Sequence, residues 1–313
     1  GDFIKSFTTW NDVYSFLKNA EIKERLVLII DEFTYLYNSN PAYDSELQNA
    51  IDKILKLKNI FLILCGSEVS VIEEIIDNST KPLYGRKTAE LKLLPFTIEE
   101  LKSNKILAKN PYEAMIKGNY PPLHDVRRNF IPEDWFENYI ETYLDLDVKE
   151  HINISNLSLF KKFIQICATL SGQMLSMDSI SRNLGVSAPT VKLWLSILES
   201  SYIIHFLEPD FNNLGKSLVK TPKMYFIDTG LLCYLLRINS VEQLILSPHK
   251  GAVVETFAIS ELLKYRTNLA KKPNLSFYRD LKGFEVDTIA DWDHSFAIEI
   301  KSSSETEQKL SAN

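Results

Sequence analysis

Three sets of residues in this chain have the types and spacing to do chemistry. The first is Asp31-Glu32, which ends the continuous apolar run Leu26-Val-Leu-Ile-Ile. Two adjacent carboxylates at the end of a buried strand could divide a hydrolytic task, one holding magnesium beside a polyphosphate and the other activating water. The next apolar run, Ile60–Cys65, ends in Gly66-Ser67. It would bring a small hydroxyl to the same edge of a parallel sheet, where ligands of open α/β sheets bind. Arg86, within Leu83-Tyr-Gly-Arg-Lys-Thr88, offers a guanidinium that could meet a phosphate. Many parallel strands end in acidic loops, and a loop arginine can be merely solvated, so the plain structural reading stays open at this point.

The second set is near the C-terminus. Asp287 and Glu299-x-Lys301 have the D…(D/E)-x-K spacing in which two carboxylates hold magnesium and a lysine orients or deprotonates the attacking water. Strand alternation puts Glu299 and Lys301 on one face. Glu255, on a predicted amphipathic helix opened by Gly251-Ala-Val-Val, could complete the metal shell. Against this, the same spacing arises by chance in a charged chain, or Glu299 and Lys301 only cap a strand edge.

The third set belongs to a predicted helix-turn-helix. Ser176–Leu184 reads as a short helix, Gly185-Val186 as the turn, and Ser187 as the N-cap of the next helix. That helix buries Val191, Trp194, Leu195 and Leu198, and turns Thr190, Lys192, Leu193 and Ile197 outward. Tyr202–Leu207 and Lys223–Ile227 would pair as a wing, with Lys216, Lys220 and Lys223 adding positive charge. A recognition helix shows such polar and basic side chains near its start. The outward face is also apolar enough to be an interdomain contact.

The elements that must position these residues alternate between strand and helix over the first hundred residues, which reads as a parallel α/β sheet buried on both faces. Leu91–Leu94 is predicted as a third strand, stopped by Pro95. Lys109–Pro122, rich in proline, reads as a linker, and Asp134–Glu150 as an aromatic helix. The expected division is an α/β domain over 1–108, a helical lid over 109–157, a winged helix over 158–245 and an α+β unit over 246–313.

Glycine spacing limits what the first set can be. The ten glycines of the 313 residues include no pair five apart and no pair two apart. G-x-x-x-x-G-K-[ST] and G-x-G-x-x-G are therefore both excluded within this chain. Gly215-Lys216-Ser217 is a decoy, because Asp210 stands five residues earlier and the proline-containing Leu218–Phe226 segment offers no helix N-terminus for phosphate. It reads as a wing loop.

Several segments together resemble a large group of archaeal and bacterial AAA-type ATPases. They are IIDEF, ILCGS, PLYGRKTAELKLLPF, GNYPP and WFENYIETYLDLDV. Members of that group carry a winged helix and a restriction-endonuclease-like C-terminal domain of unknown function. The resemblance implies ATP and Mg²⁺ as cofactors, Asp31 as the magnesium-side acid, Glu32 as the catalytic base, Ser67 as the sensor residue and Arg86 as a phosphate-facing arginine. It also implies a possible Mg²⁺ at Glu255, Asp287 and Glu299, with Lys301 as the nuclease-type lysine. Two departures stand out. The phosphate-loop segment is absent and would precede Gly1, and Leu146 replaces the usual basic residue of the helical motif. Only twelve residues follow Lys301, where the endonuclease-like fold usually adds a helix and strand, so that unit is expected to be incomplete.

Composition sets the outer bounds. A formal charge of -6 argues against a nonspecific whole-surface nucleic-acid binder, while a local basic patch for DNA stays possible. Three distant cysteines and five scattered histidines give no zinc-ligand spacing. No apolar run approaches the roughly 18 residues of a membrane helix. The expectation is a soluble, cytoplasmic protein with DNA, a protein partner or further copies of itself as partners. The rival functions are a metal-dependent nuclease and a binding module with vestigial sites.

Overall fold

The computed structural model describes residues 7–40, 42–66, 69–143, 157–210 and 220–302. The chain divides into two compact units, residues 1–90 and 91–313. The break falls after Glu90.

The first unit is built on two parallel strands, β1 (Leu26–Ile30) and β2 (Ile60–Leu64), paired from Leu26↔Ile60 to Ile30↔Leu64. Parallel strands need a return crossover. Here it is α2 (Phe33–Ser39) and α3 (Tyr43–Lys53), flanked by α1 (Trp10–Asn19) and α4 (Val69–Asp77). Thr9 and Asp12 form a reciprocal capping box that starts α1. All four helices feed one core around Tyr14, Ile30, Phe33, Tyr43, Leu47 and Ile75, against which Leu28, Leu62 and Leu64 also pack.

That one-sided packing corrects the expectation of strands buried on both faces. Val27, Ile29 and Phe61, on the opposite face, remain exposed. The expected third strand is also not formed. Leu91–Leu94 has no strand pairing, and Leu91 and Leu93 are 78% and 96% exposed. An apolar run becomes a strand only where an edge is available to pair with it.

The second unit holds a five-stranded mixed sheet in the order β4 (Lys223–Phe226), β3 (Ile204–Pro209), β5 (Leu275–Arg279), β6 (Glu285–Asp291), β7 (Ser295–Ile298). β3 runs antiparallel to β4 and parallel to β5, and the last two pairings are antiparallel. The two strands expected to form a wing and the three C-terminal strands thus share one sheet. A strand pair on its own leaves edge groups unpaired, and β5 satisfies the free edge of β3.

Around this sheet stand α5 (Ile98–Ser103), α6 (Pro111–Lys117), α7 (Pro132–Tyr143), α8 (Leu157–Thr169), α9 (Met177–Leu184), α10 (Ala188–Ser200), α11 (Thr229–Leu235), α12 (Val241–Leu246) and α13 (Lys250–Asn268). Gly185 adopts φ 69°, ψ 28° to end α9, and the Ser187 hydroxyl accepts the Thr190 N–H to begin α10. The order helix, turn, helix, antiparallel strand pair is as expected. Val191, Trp194, Leu195 and Leu198 are buried as the helical spacing requires, but Ile197 is buried too, not outward. It joins the large core that runs from Met115 to Val253 and covers α10 on more than one side. Residues 144–150, the end of the expected aromatic helix, lie outside the described residues, as does Leu146.

Lys109–Pro122 is not a linker. Asn110 caps α6, Pro111 occupies its first turn, and Pro121 opens a 3₁₀ turn over Pro121–His124. Gly118, at φ 73°, packs against Gly230 so tightly that a Cβ on Gly230 would lie 2.6 Å from the Gly118 Cα. The Asn119 N–H donates to Asp228 Oδ2 at 2.6 Å, and its side-chain amide donates to the Phe96 carbonyl at 2.6 Å. The buried Lys264 ammonium donates to the same carbonyl at 2.9 Å and pairs with Glu261. The GNYPP and LLPF segments of the resemblance are thus parts of one internal clasp.

Candidate functional site

Asp31 and Glu32 emerge at the C-terminal end of β1, both exposed. Glu32 takes a left-handed backbone, φ 49° and ψ 47°, just before α2. For a non-glycine residue that conformation costs on the order of 1–2 kcal/mol. The turn buries the next two residues, Phe33 and Thr34, while both carboxylates stay in solvent. Asp31 Oδ1 accepts the Glu32 N–H at 3.1 Å. The neighbouring strand end is held by Cys65 N–H to Ile30 O at 2.9 Å and Phe33 N–H to Cys65 O at 2.8 Å. Gly66 lies against α2 and α4, where a Cβ would meet Ile72 Cδ1 at 3.0 Å and Thr34 Cγ2 at 3.4 Å. Ser67 lies outside the described residues.

Arg86, expected to face a phosphate, is engaged by groups of the protein itself. Its Nη2 donates to Asp52 Oδ2 at 2.6 Å, its Nε to Asp52 Oδ1 at 3.2 Å, and its Nη1 to the carbonyls of Pro82 and Tyr84 at 2.7 and 3.1 Å. Asp52 sits in the last turn of α3, which returns along the strands toward the start of β2. Arg86 is therefore fastened at the end of the unit opposite Asp31. Its guanidinium, with Lys56 assisting, holds the Asp52 carboxyl down at about 2.

The C-terminal carboxylates gather on one side of the second sheet, each with a protein partner. Glu255 Oε1 accepts the Tyr225 hydroxyl at 2.6 Å and the Lys223 ammonium at 3.2 Å. Lys223 also donates to Glu285 Oε1 at 2.6 Å, and Arg279 reaches Glu285 Oε2 at 3.3 Å. Asp287 Oδ2 accepts the Ile300 N–H at 2.8 Å. Glu299 and Lys301 do share a side, but they lie just beyond β7, exposed and paired with each other, while Ile300 packs inward. Glu299 raises the Lys301 ammonium above its ordinary value, with smaller contributions from Asp287 and Glu255.

Among the described residues no three His, Cys, Asp or Glu side chains converge to hold a metal ion. The expected set Glu255, Asp287 and Glu299 is divided among a lysine, a backbone amide and a second lysine. As arranged, this donor set does not fit a metal.

Lys223, expected to add positive charge to the wing, has a side chain only 5% exposed. Burial alone would lower its pKa, but Glu255 and Glu285 outweigh that and hold it above the ordinary lysine value. Tyr225 and Glu285 were missed. The available signal was the alternation itself, since Lys223 and Tyr225 on β4, like Glu285 and Asp287 on β6, are two residues apart and share a face.

On α10, Thr190 is half-buried, with its hydroxyl 2.8 Å from that of Ser187. Lys192 and Leu193 are exposed, as is Lys220 ahead of β4. Lys216 and the Gly215-Lys216-Ser217 segment lie outside the described residues.

Residues 4–126 match the model of an ATPase domain predominantly from Archaea. The N-terminal region is ATPase-like. Residues 109–242 and 250–313 match two domains of unknown function, DUF8612 and DUF4143. Asp31, Glu32 and Arg86 fall in the ATPase-like segment, and Glu255, Asp287, Glu299 and Lys301 in the last. An uncharacterized protein of Mycobacterium tuberculosis is 30% identical over 191 residues, covering 60% of this chain and 42% of the relative. An uncharacterized protein of Mycobacterium bovis matches to the same extent. One from Methanocaldococcus jannaschii is 38% identical over 93 residues, 30% of this chain and 20% of that protein. The chain thus spans less than half the length of these relatives. No helix among the described residues is long and apolar enough to cross a membrane.

Proposed function

We propose that in the intact protein the first unit supplies the acidic side of an ATP-hydrolysing site. Asp31 is its magnesium-side acid and Glu32 the base that takes a proton from the attacking water. The observation that carries this reading is the pair of adjacent, exposed carboxylates at the C-terminal end of β1, inside the segment that matches an ATPase domain. The donors fit the ion. Hard carboxylate oxygens open to water suit magnesium, which keeps several of its waters and takes one or two carboxylates. When bound, magnesium would neutralise phosphate charge.

The chain's own residues do the positioning. The left-handed turn at Glu32 separates the two acids in role, leaving Asp31 at the strand end and swinging Glu32 to the start of α2. Ser67, three residues after the end of β2 in the sequence, would serve as the polar sensor. Arg86, committed to Asp52, has no part in phosphate binding here. No G-x-x-x-x-G-K-[ST] occurs in the 313 residues, so the reading assigns these residues only the acidic side of the site and not the backbone grip on phosphate. The test is magnesium-dependent ATP turnover by the intact protein with Asp31→Ala. Loss of turnover supports the assignment, and undiminished turnover ends it.

A second reading concerns α8 to β4, whose order is that of a winged helix. It is favoured by the capped α9–turn–α10 pair followed by an antiparallel strand pair. Thr190, Lys192 and Lys220 would then face DNA, while the exposed Leu193 favours a protein contact. Mobility shift against salt separates the two, because phosphate contacts give a steep salt dependence.

A further inference from the structure

The acidic side of the second sheet contains a cation that the protein supplies itself. Lys223, on β4, reaches between α13 and β6, with Nζ 3.2 Å from Glu255 Oε1 and 2.6 Å from Glu285 Oε1. The same ammonium lies 5.4 Å from the centre of the Phe277 ring. Its side chain is 5% exposed, against 20% for Glu255 and 28% for Glu285. An ammonium has three donors and no acceptor, and here two of its directions are spent on carboxylates from different elements. Two carboxylates brought this close and removed from water repel each other unless a positive charge stands between them.

We propose that Lys223 is the resident cation of this cluster. Its ammonium fills the position between Glu255 and Glu285 that a divalent ion would otherwise take, so the native chain binds no divalent metal there. The carboxylates act as a clasp joining β4, α13 and β6. Asp287, Glu299 and Lys301 keep metal-site spacing in the sequence, while in the fold Glu255 closes on Lys223, Asp287 on the Ile300 N–H and Glu299 on Lys301. It stands apart from the ATPase reading, which concerns the other unit.

The proposal predicts that removing the ammonium while keeping the carboxylates opens a divalent site. The experiment is Mn²⁺ titration of the full chain, followed by electron paramagnetic resonance, for wild type, Lys223→Met and Lys223→Met/Glu255→Gln. Lys223→Met gains a bound Mn²⁺ that the double variant lacks, with affinity at least about tenfold tighter than any the wild type shows, since ligand charge count tunes such sites. The double variant subtracts Mn²⁺ held elsewhere, at Asp31 for example. Thermal melting gives a second readout, with Mn²⁺ raising the midpoint of Lys223→Met but not that of the double variant.

Absence of both gains overturns the proposal. So does a wild-type Mn²⁺ site that Glu255→Gln removes. If Lys223→Met does not fold even with Mn²⁺, that wild-type comparison decides alone, and equal Mn²⁺ curves for wild type and Glu255→Gln support the proposal.

Discussion

Arg86 closes on Asp52 through both Nε and Nη2, the shortest contact being 2.6 Å, while Nη1 ties the same guanidinium to the carbonyls of Pro82 and Tyr84. A planar fork matched to a carboxylate and two backbone acceptors acts as a fastener between α3 and the 82–86 turn. Arg86→Ala should therefore lower the melting temperature of the chain, and Asp52→Asn should do the same. In the intact protein, Arg86→Ala should leave ATP hydrolysis per folded molecule nearly unchanged. A fully stable Arg86→Ala variant that loses turnover would return the arginine to the phosphate.

The same pair predicts an acid response. Asp52 is held at about 2 in the folded chain by Arg86 first and Lys56 second. An unfolded aspartate titrates near 4. A depressed carboxylate contributes stability that is fully present above the unfolded value and is lost as pH falls toward the folded one. Between about pH 4 and 2 the wild type should lose stability more steeply than Asp52→Asn. Parallel melting curves for the two proteins over that range would contradict the prediction.

The clasp in the second unit predicts a contrast between glycines. Gly230→Ala puts a Cβ 2.6 Å from the Gly118 backbone, and Gly118→Ala adds a positive φ to a clash with the Asp228 carboxylate. Each should cost at least about 1–3 kcal/mol, the usual range for overpacking. Gly251→Ala, inside α13 with nothing within 4 Å, should be neutral or stabilising by up to about 1 kcal/mol, because alanine is the better helix former. Denaturant melts measure all three, and a tolerated Gly230→Ala would dissolve the clasp.

If α10 faces DNA, Lys192→Ala should weaken binding across sequences alike and reduce the salt slope by about one. If it faces protein, Leu193→Asp should break the contact and Lys192→Ala should matter little. Mobility shifts over a salt series distinguish the cases.

What the sequence made legible follows from how local each signal is. β1 and β2 were readable because continuous apolar runs have few alternatives, and α9–Gly185–α10 because Ser176, Gly185 and Ser187 carry cap chemistry within a few residues. The rest depended on neighbours distant in sequence. Ile197 lies off the main stripe of α10 and is buried only because the surrounding core wraps it. Lys109–Pro122 has the composition of a linker, and only Gly230 and Asp228, over a hundred residues away, make it a clasp. Lys223 looked like a wing cation because nothing local reveals that β3 pairs with β5 on its other edge, bringing β4 into one sheet with β6 and Glu285. The D…E-x-K spacing was visible, but the lysine and backbone partners of its carboxylates were not.

Magnesium-dependent ATP hydrolysis by the intact protein tests the central claim most directly, comparing wild type with Asp31→Ala and Glu32→Gln. Asp31→Ala should fall to background, and Glu32→Gln should lose about 100-fold or more in turnover, the scale of a missing general base, while still binding ATP. Turnover that survives both substitutions would contradict the account.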